Sequence, residues 1–378
     1  MHDPFKLQSK NIYDQFQSMI IDPNQFRWDP KELPDREGVD FVDGLQLYCG
    51  AGDPSMKNGI SIYLYSANTS MEKKACYNSD GDFLIVPQEG PLAITTECGR
   101  LLVEPTEIVV IPRGVKFSIS LSQASRGYVA EIFDGHFEIP NLGPIGSNGL
   151  ANPRDFAAPV AWFEDVAGPY IVMNKFMNQW FQTTLDHSPF NVVAWHGNYF
   201  PFKYDLKLFN CINSVSFDHP DPSIYTVLTC QSNDPGTAVL DFVIFPPRWM
   251  VAQHTFRPPW FHRNCMSEFM GMIYGKYDAK VDIADASGKK RGFSAGGASL
   301  HSCMTPHGPD GATFLKASTE NPQNPVYFAD GLAFMFESTF LLKVSEDARS
   351  SPLLQESYSN CWSSLPKLFT GDKHITLT

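Results

Sequence analysis

Between residues 82 and 133 the chain alternates short apolar runs with turn-forming residues at an even spacing. The runs at 83–86, 92–95, 101–103, 108–111, 117–121 and 129–133 are rich in Val, Ile, Leu and Phe. Pro, Gly and polar residues punctuate them at 87–90, 97–99, 105, 112–114 and 126–127. Strands recurring every ~8–12 residues with turn signals between them predict a sandwich or barrel. A second β-rich region runs from 214 through 245 and resumes at 268–277. Between the two lie a Gly/Pro/Asn-rich passage at 140–153 and aromatic segments around Trp162, Trp180 and Trp195. Those segments carry too many large apolar side chains to stay solvated, so they are expected as loops packed between domains. One short helix is expected at 14–21. The resulting division is an N-terminal β domain at 1–205 and a C-terminal domain at 206–378.

Composition sharpens this picture. The 29 Pro, 27 Gly and 29 Phe among 378 residues disfavour long helices and suit short strands closed by tight turns. A formal net charge of -12 argues against a nucleic-acid surface, which needs clustered Lys and Arg. No apolar run approaches the ~18 residues needed to span a bilayer, and the N-terminus lacks the apolar core of a secretory signal. The eight cysteines are scattered without a Cys-x-x-Cys, so reduced thiols in a cytoplasmic protein are expected. A small substrate or a protein partner fits this chain better than nucleic acid or a membrane.

The candidate chemistry sits in the second half. His262 and Glu268 are six positions apart in His-Arg-Asn-Cys-Met-Ser-Glu, and His307 follows in Met-Thr-Pro-His-Gly-Pro. Two imidazoles and one carboxylate hold Fe(II) on one face of an octahedron and leave the opposite face open. Zinc is the competing ion, because the same donor set serves catalytic zinc. His301 is a rival third ligand or a donor that steadies one. Arg263 and Asn264 are candidates to tether substrate or fix ligand orientation. In a chain with ten histidines, a His-x5-Glu pair alone is weak evidence.

Ile111-Pro-Arg-Gly-Val-Lys-Phe117 resembles the second conserved motif of cupin jelly-roll barrels, with Phe117 where that motif has a metal-binding histidine. His262 and Glu268 resemble the first motif, whose middle histidine falls at Asn264. The expected fold is therefore mostly β, with two cupin-like jelly-roll barrels of the double-stranded β-helix type. The N-terminal barrel is degenerate and free of metal ligands, and the C-terminal one binds the metal.

Longer strings carry a narrower resemblance. Tyr77-Asn-Ser-Asp-Gly-Asp-Phe-Leu-Ile-Val-Pro87, Pro189-Phe-Asn-Val-Val-Ala-Trp-His-Gly-Asn-Tyr199, Phe217-Asp-His-Pro-Asp-Pro-Ser-Ile224, Phe256-Arg-Pro-Pro-Trp-Phe-His-Arg-Asn-Cys-Met-Ser-Glu-Phe-Met270 and Leu300-His-Ser-Cys-Met-Thr-Pro-His-Gly-Pro-Asp310 resemble the homogentisate 1,2-dioxygenase family. The resemblance runs from about residue 22 to about 342. It implies one Fe(II) per chain and opening of the homogentisate ring by O2 to maleylacetoacetate, in phenylalanine and tyrosine breakdown. It implies His262, Glu268 and His307 as iron ligands, His219 as acid/base, Tyr277 and His307 as substrate contacts, and a homohexamer built as a dimer of trimers. Two departures from the family are expected to matter differently. The short segment before residue 22 puts oligomer contacts in question, whereas the long polar connection at 280–292 is expected to be inert surface. The competing readings are a dioxygenase for a related substrate such as gentisate, and a non-catalytic two-barrel storage or binding protein.

Overall fold

The structure, a computed structural model, describes residues 2–8, 18–141, 150–192, 194, 197–211, 225–254, 261–277, 283–284 and 290–368. The first strands are β1 (Lys6–Leu7), β2 (Phe26–Trp28), β3 (Gln46–Asp53), β4 (Asn58–Ala67), β5 (Lys74–Asn78) and β6 (Asp82–Glu89). They are followed by β7 (Leu92–Thr96), β8 (Gly99–Val103), β9 (Glu107–Ile111), β10 (Phe117–Ser120) and β11 (Ser125–Ile132). The six runs expected between residues 83 and 133 are all strands. Their pairing is nested and antiparallel: β7 with β8, β6 with β9, β5 with β10 and β4 with β11. That nesting folds one long hairpin into a jelly roll of two facing sheets. Apolar residues from both inner faces, including Cys76, Phe83, Ile94, Ile111 and Phe117, fill the space between them.

The second half repeats the plan. It contains β15 (Thr226–Gln231), β16 (Ala238–Phe245), β17 (Arg248–Val251), β18 (Ser267–Gly275), β19 (Ile283–Ala284), β20 (Lys290–Arg291), β21 (Ala298–His301), β22 (Val326–Phe328) and β23 (Gly331–Ser338). Again the pairs nest: β19 with β20, β18 with β21, β17 with β22 and β16 with β23. The main sheet runs β15-β16-β23-β18-β21-β2. Two strands cross between halves. β2 pairs with β21 at the edge of this sheet, and β24 (Lys343–Val344) pairs with β3 in the first barrel.

The two barrels share a core. Phe242, Phe269, Leu300, Phe334 and Phe336 pack with Ile60, Ile62, Leu84 and Tyr128 of the first barrel. The Tyr128 hydroxyl donates to the carbonyls of Gly297 (2.7 Å) and Met272 (3.2 Å). Gly271 permits that approach, since a Cβ there would lie 2.3 Å from the Phe334 ring.

One sequence expectation is corrected. Residues around Trp180 do not form an inter-domain loop: β12 (Ala167–Phe176) and β13 (Gln179–His187) make a hairpin that extends the first barrel, with Trp180 buried. Trp162 lies outside any strand, and Trp195 lies outside the described residues. The hairpin turns through Met177 and Asn178, both at positive φ (51° and 58°), the geometry of a two-residue type I′ turn. The Asp80 carboxylate imposes it by accepting the backbone N–H of Met177 (2.5 Å) and of Asn178 (2.8 Å). The expected helix at 14–21 falls mostly outside the described residues, and Ile20 is bridged to Val344. Most of the 280–292 connection is likewise outside them, apart from the β19–β20 pair. The described residues hold no helix long and apolar enough to cross a membrane.

At the edge of one sheet β14 (Phe202–Asp205) pairs with β9. Asp80 belongs to a buried ionic cluster with residues of β4, β5, β11 and β12. Lys175 Nζ donates to Asp80 Oδ2 (2.7 Å), Glu131 Oε1 (2.8 Å) and Asn178 Oδ1 (2.8 Å), which uses all three ammonium hydrogens. Glu131 also accepts from the Tyr63 hydroxyl (2.7 Å) and Asn78 Nδ2 (2.6 Å). Burial works against the charge on Lys175, but Glu131 and Asp80 overcome it and hold its pKa above the ordinary lysine value. Removing one partner of such a pair strands the other charge in the core. Lys175→Met should therefore destabilise the protein by about 3–5 kcal/mol, read as a lower midpoint in chemical denaturation. An unchanged midpoint would show that the cluster is energetically idle.

Candidate metal centre

The second barrel's register builds the site. Glu268 at the start of β18 pairs with His301 at the end of β21, and six residues outward on each side His262 bridges His307. The latter two exchange backbone hydrogen bonds of 3.0 Å in both directions. Equal spacing on two antiparallel segments thus brings all four side chains to one place. The intervening residues bulge away, tied by Met304 N–H to the Asn264 carbonyl (2.8 Å), with Met304 in the left-handed region (φ 62°).

His262, Glu268 and His307 each offer a ligand atom, and these atoms lie within 4.8 Å of one another. His307 Nε2 is 3.0 Å from Glu268 Oε2, and His262 Nε2 is 4.0 Å from Glu268 Oε1. His307 Nδ1 lies 2.9 Å from the Thr305 carbonyl. That bond places the proton on Nδ1 and leaves Nε2 with a lone pair for a metal. Glu268 and His307 are buried, whereas the His262 side chain is 46% exposed. One carboxylate and two imidazoles on a partly open face fit a divalent metal ion, and that donor set admits both Fe(II) and zinc.

Burial alone would push the Glu268 carboxyl up, but the imidazoles of His301 and His307 beside it outweigh that and hold the group well below the usual carboxylate range. Glu268 is therefore ionised and ready to ligate. His301, the rival ligand, sits behind it. Its Nδ1 is 3.6 Å from Glu268 Oε2, its Nε2 is 2.8 Å from the Tyr358 hydroxyl, and its ring stacks on His307 (centroids 4.3 Å). Sequence reasoning missed Tyr358 and the buried Arg27, whose guanidinium lies 4.3 Å over the Tyr358 ring. Tyr277 packs edge-on against Phe293 (5.5 Å). His219 lies outside the described residues.

The first barrel shows what the same positions become without ligands. Phe83 pairs with Ile111 as Glu268 pairs with His301, and Phe117 pairs with Cys76 as His307 pairs with His262. All four are buried in the apolar core, so apolar packing occupies the positions that carry candidate ligands in the second barrel.

The chain is similar to known proteins over nearly its whole length. Family models described as homogentisate 1,2-dioxygenase N-terminal and C-terminal match residues 1–206 and 207–369. A Caenorhabditis elegans homogentisate 1,2-dioxygenase is 53% identical over 377 residues, covering 99% of this chain and 84% of the relative. The Homo sapiens enzyme of that name is 54% identical over 376 residues, covering 98% and 82%. The Drosophila melanogaster one is 56% identical over 357 residues, covering 93% and 79%.

Glu268 is one of a row of acids across the sheet: Asp241 on β16 pairs with Glu337 on β23, which pairs with Glu268 on β18. At the far end, burial pushes Asp241 up to about 6 despite a hydrogen bond from Thr229. Between the unfolded carboxylate range and about 6, the folded chain keeps a proton that the unfolded chain has lost. Stability attributable to Asp241 therefore falls as pH rises through that window and stays low above it. Asp241→Asn should raise the unfolding free energy at neutral pH by about 2–3 kcal/mol and flatten the decline. Parallel pH–stability curves for the two proteins would rule Asp241 out as the source.

Proposed function

The chain belongs to the homogentisate 1,2-dioxygenase family, and we propose that His262, Glu268 and His307 hold a ferrous ion at which it opens the homogentisate ring with O2 to give maleylacetoacetate. The observation that carries this reading is the convergence of two imidazole nitrogens and one carboxylate within 4.8 Å, with the His262 side open to solvent. A bound ferrous ion supplies acidity to a coordinated hydroxyl and electron transfer to O2. The protein's own residues do the rest. Glu268 and His307, buried and hydrogen-bonded, fix the ligand geometry, while exposed His262 borders the face that substrate approaches. His219 accepts a proton from a substrate hydroxyl, a task suited to an imidazole near its ordinary pKa of about 6.5. Tyr277 and His307 contact the substrate, with Tyr277 orienting it by a hydrogen bond. Holding both reactants at one centre supplies the proximity advantage.

The reading extends to the whole molecule. It divides the chain at 205/206 into a metal-free barrel and a catalytic one. It takes the assembly as a homohexamer, a dimer of trimers, and the compartment as the cytoplasm. Support for the compartment comes from the cysteines, which stand as free thiols.

Metal analysis of protein purified without air should return one iron per chain, and oxygen uptake should follow homogentisate rather than gentisate. Stoichiometric zinc, or uptake driven by gentisate, would overturn the assignment. Glu268→Ala should abolish iron retention and oxygen uptake together. His219→Phe should leave iron bound while slowing turnover by ~10²–10⁴, so a full-rate variant removes His219 as the proton acceptor.

A further inference from the structure

Two glutamates, Glu268 and Glu337, stand directly opposite each other on neighbouring strands inside the second barrel, and both are buried. Like charges in that register are destabilising, and burial strengthens their repulsion. Asn264 is placed to relieve it. Asn264 Nδ2 donates one hydrogen to Glu268 Oε1 (3.0 Å) and the other to Glu337 Oε1. Asn264 Oδ1 accepts from Met266 N–H (3.1 Å), which fixes which way the amide faces.

The last torsion of a glutamate side chain is soft and roughly two-fold, so nothing intrinsic holds the carboxylate plane. Around Glu268 the two oxygens are divided. Oε2 faces His307 Nε2 at 3.0 Å and His301 Nδ1 at 3.6 Å, while Oε1 takes the Asn264 amide. The histidines hold one end and Asn264 holds the other. Asn264 comes from the short bulge between His262 and β18, so its own position needs an anchor on the sheet. Glu337, near the end of β23 but paired on both sides, with Asp241 of β16 and Glu268 of β18, is that anchor.

We propose that Glu337 is a positioning residue for the metal centre: through Asn264 it sets the plane of the Glu268 carboxylate and so tunes metal affinity. Glu337 itself touches neither metal nor substrate in this arrangement. The inference rests on the reading of Glu268 as a ligand. Outer partners that orient a ligand typically contribute 10–100-fold to metal affinity.

Cobalt(II) titrated into the metal-free full-length protein tests this, since its visible absorption reports both affinity and ligand geometry. The wild type should bind one equivalent. Failure there would overturn the metal centre itself, a result distinct from failure of the positioning role. Glu337→Gln and Asn264→Ala should each weaken binding by ~10-fold or more and shift the visible bands, with the melting temperature of the metal-free protein little changed. The double variant should bind no more weakly than the weaker single one, because both act through one link. Wild-type affinity and bands in either single variant, or losses that multiply in the double, would overturn the proposal. If Glu337→Gln does not fold, Asn264→Ala decides alone, its side chain being only half-buried.

Discussion

Glu268 faces the interior of its barrel because β18 is held between β21 and β23 in the register that sets it opposite His301 and Glu337. Side chains alternate along a strand, so a slip of one residue would exchange Glu268 with Phe269. Phe269 is fully buried in the core shared by the two barrels, stacked near Trp28 and Phe336. The slip would therefore put a carboxylate into that core and a phenyl ring among the ligands. The apolar face between the barrels thus specifies the polar face within one of them. The same register carries the site outward, since the His262–His307 bridge lies on the continuation of the paired segments that join Glu268 to His301.

Two barrels with one topology have gone opposite ways in their use of charge. In the first, Phe83, Phe117, Cys76 and Ile111 occupy the ligand positions and pack as core. Its buried charges lie elsewhere, in the Lys175 cluster, where every ammonium hydrogen has an acceptor. A closed cluster of this kind is structural, because its one cation is fully engaged and both carboxylates are spent on it and on neighbouring donors. In the second barrel the acids and imidazoles keep lone pairs directed at a common point, and charge balance there calls for a cation. The ionised state of Glu268 agrees with that requirement.

Much of this was legible in the chain, for identifiable reasons. The strands between 82 and 133 are short and apolar and are separated by Pro and Gly, so local pattern suffices. His262, Glu268 and His307 were legible because each sits inside a long string that resembles the family, the His-x5-Glu spacing alone being weak evidence. The β12–β13 hairpin was not, because Met177–Asn178 is a poor I′ signal and the turn is forced by Asp80, 97 positions from Met177. Glu337 stands 73 positions from Asn264, and Tyr358 57 from His301. Such partners meet only through strand pairing or late packing, which no local window contains.

The uneven burial of the three candidate ligands gives the centre a direction. Glu268 and His307 are buried and backed by Asn264, His301 and the Thr305 carbonyl, and these contacts leave little freedom on that side. His262 contributes a nearly half-exposed ring held mainly through its backbone bridge to His307. Exchange of water for a small aromatic molecule must then take place on the His262 side, while the buried side keeps the donor geometry constant. Behind that wall the chain Glu268–His301–Tyr358–Arg27 ends in a buried cation held by Gln355. A fixed positive charge at the end of this chain favours negative charge on the carboxylate side of His301 and steadies the ligand that the open face relies on.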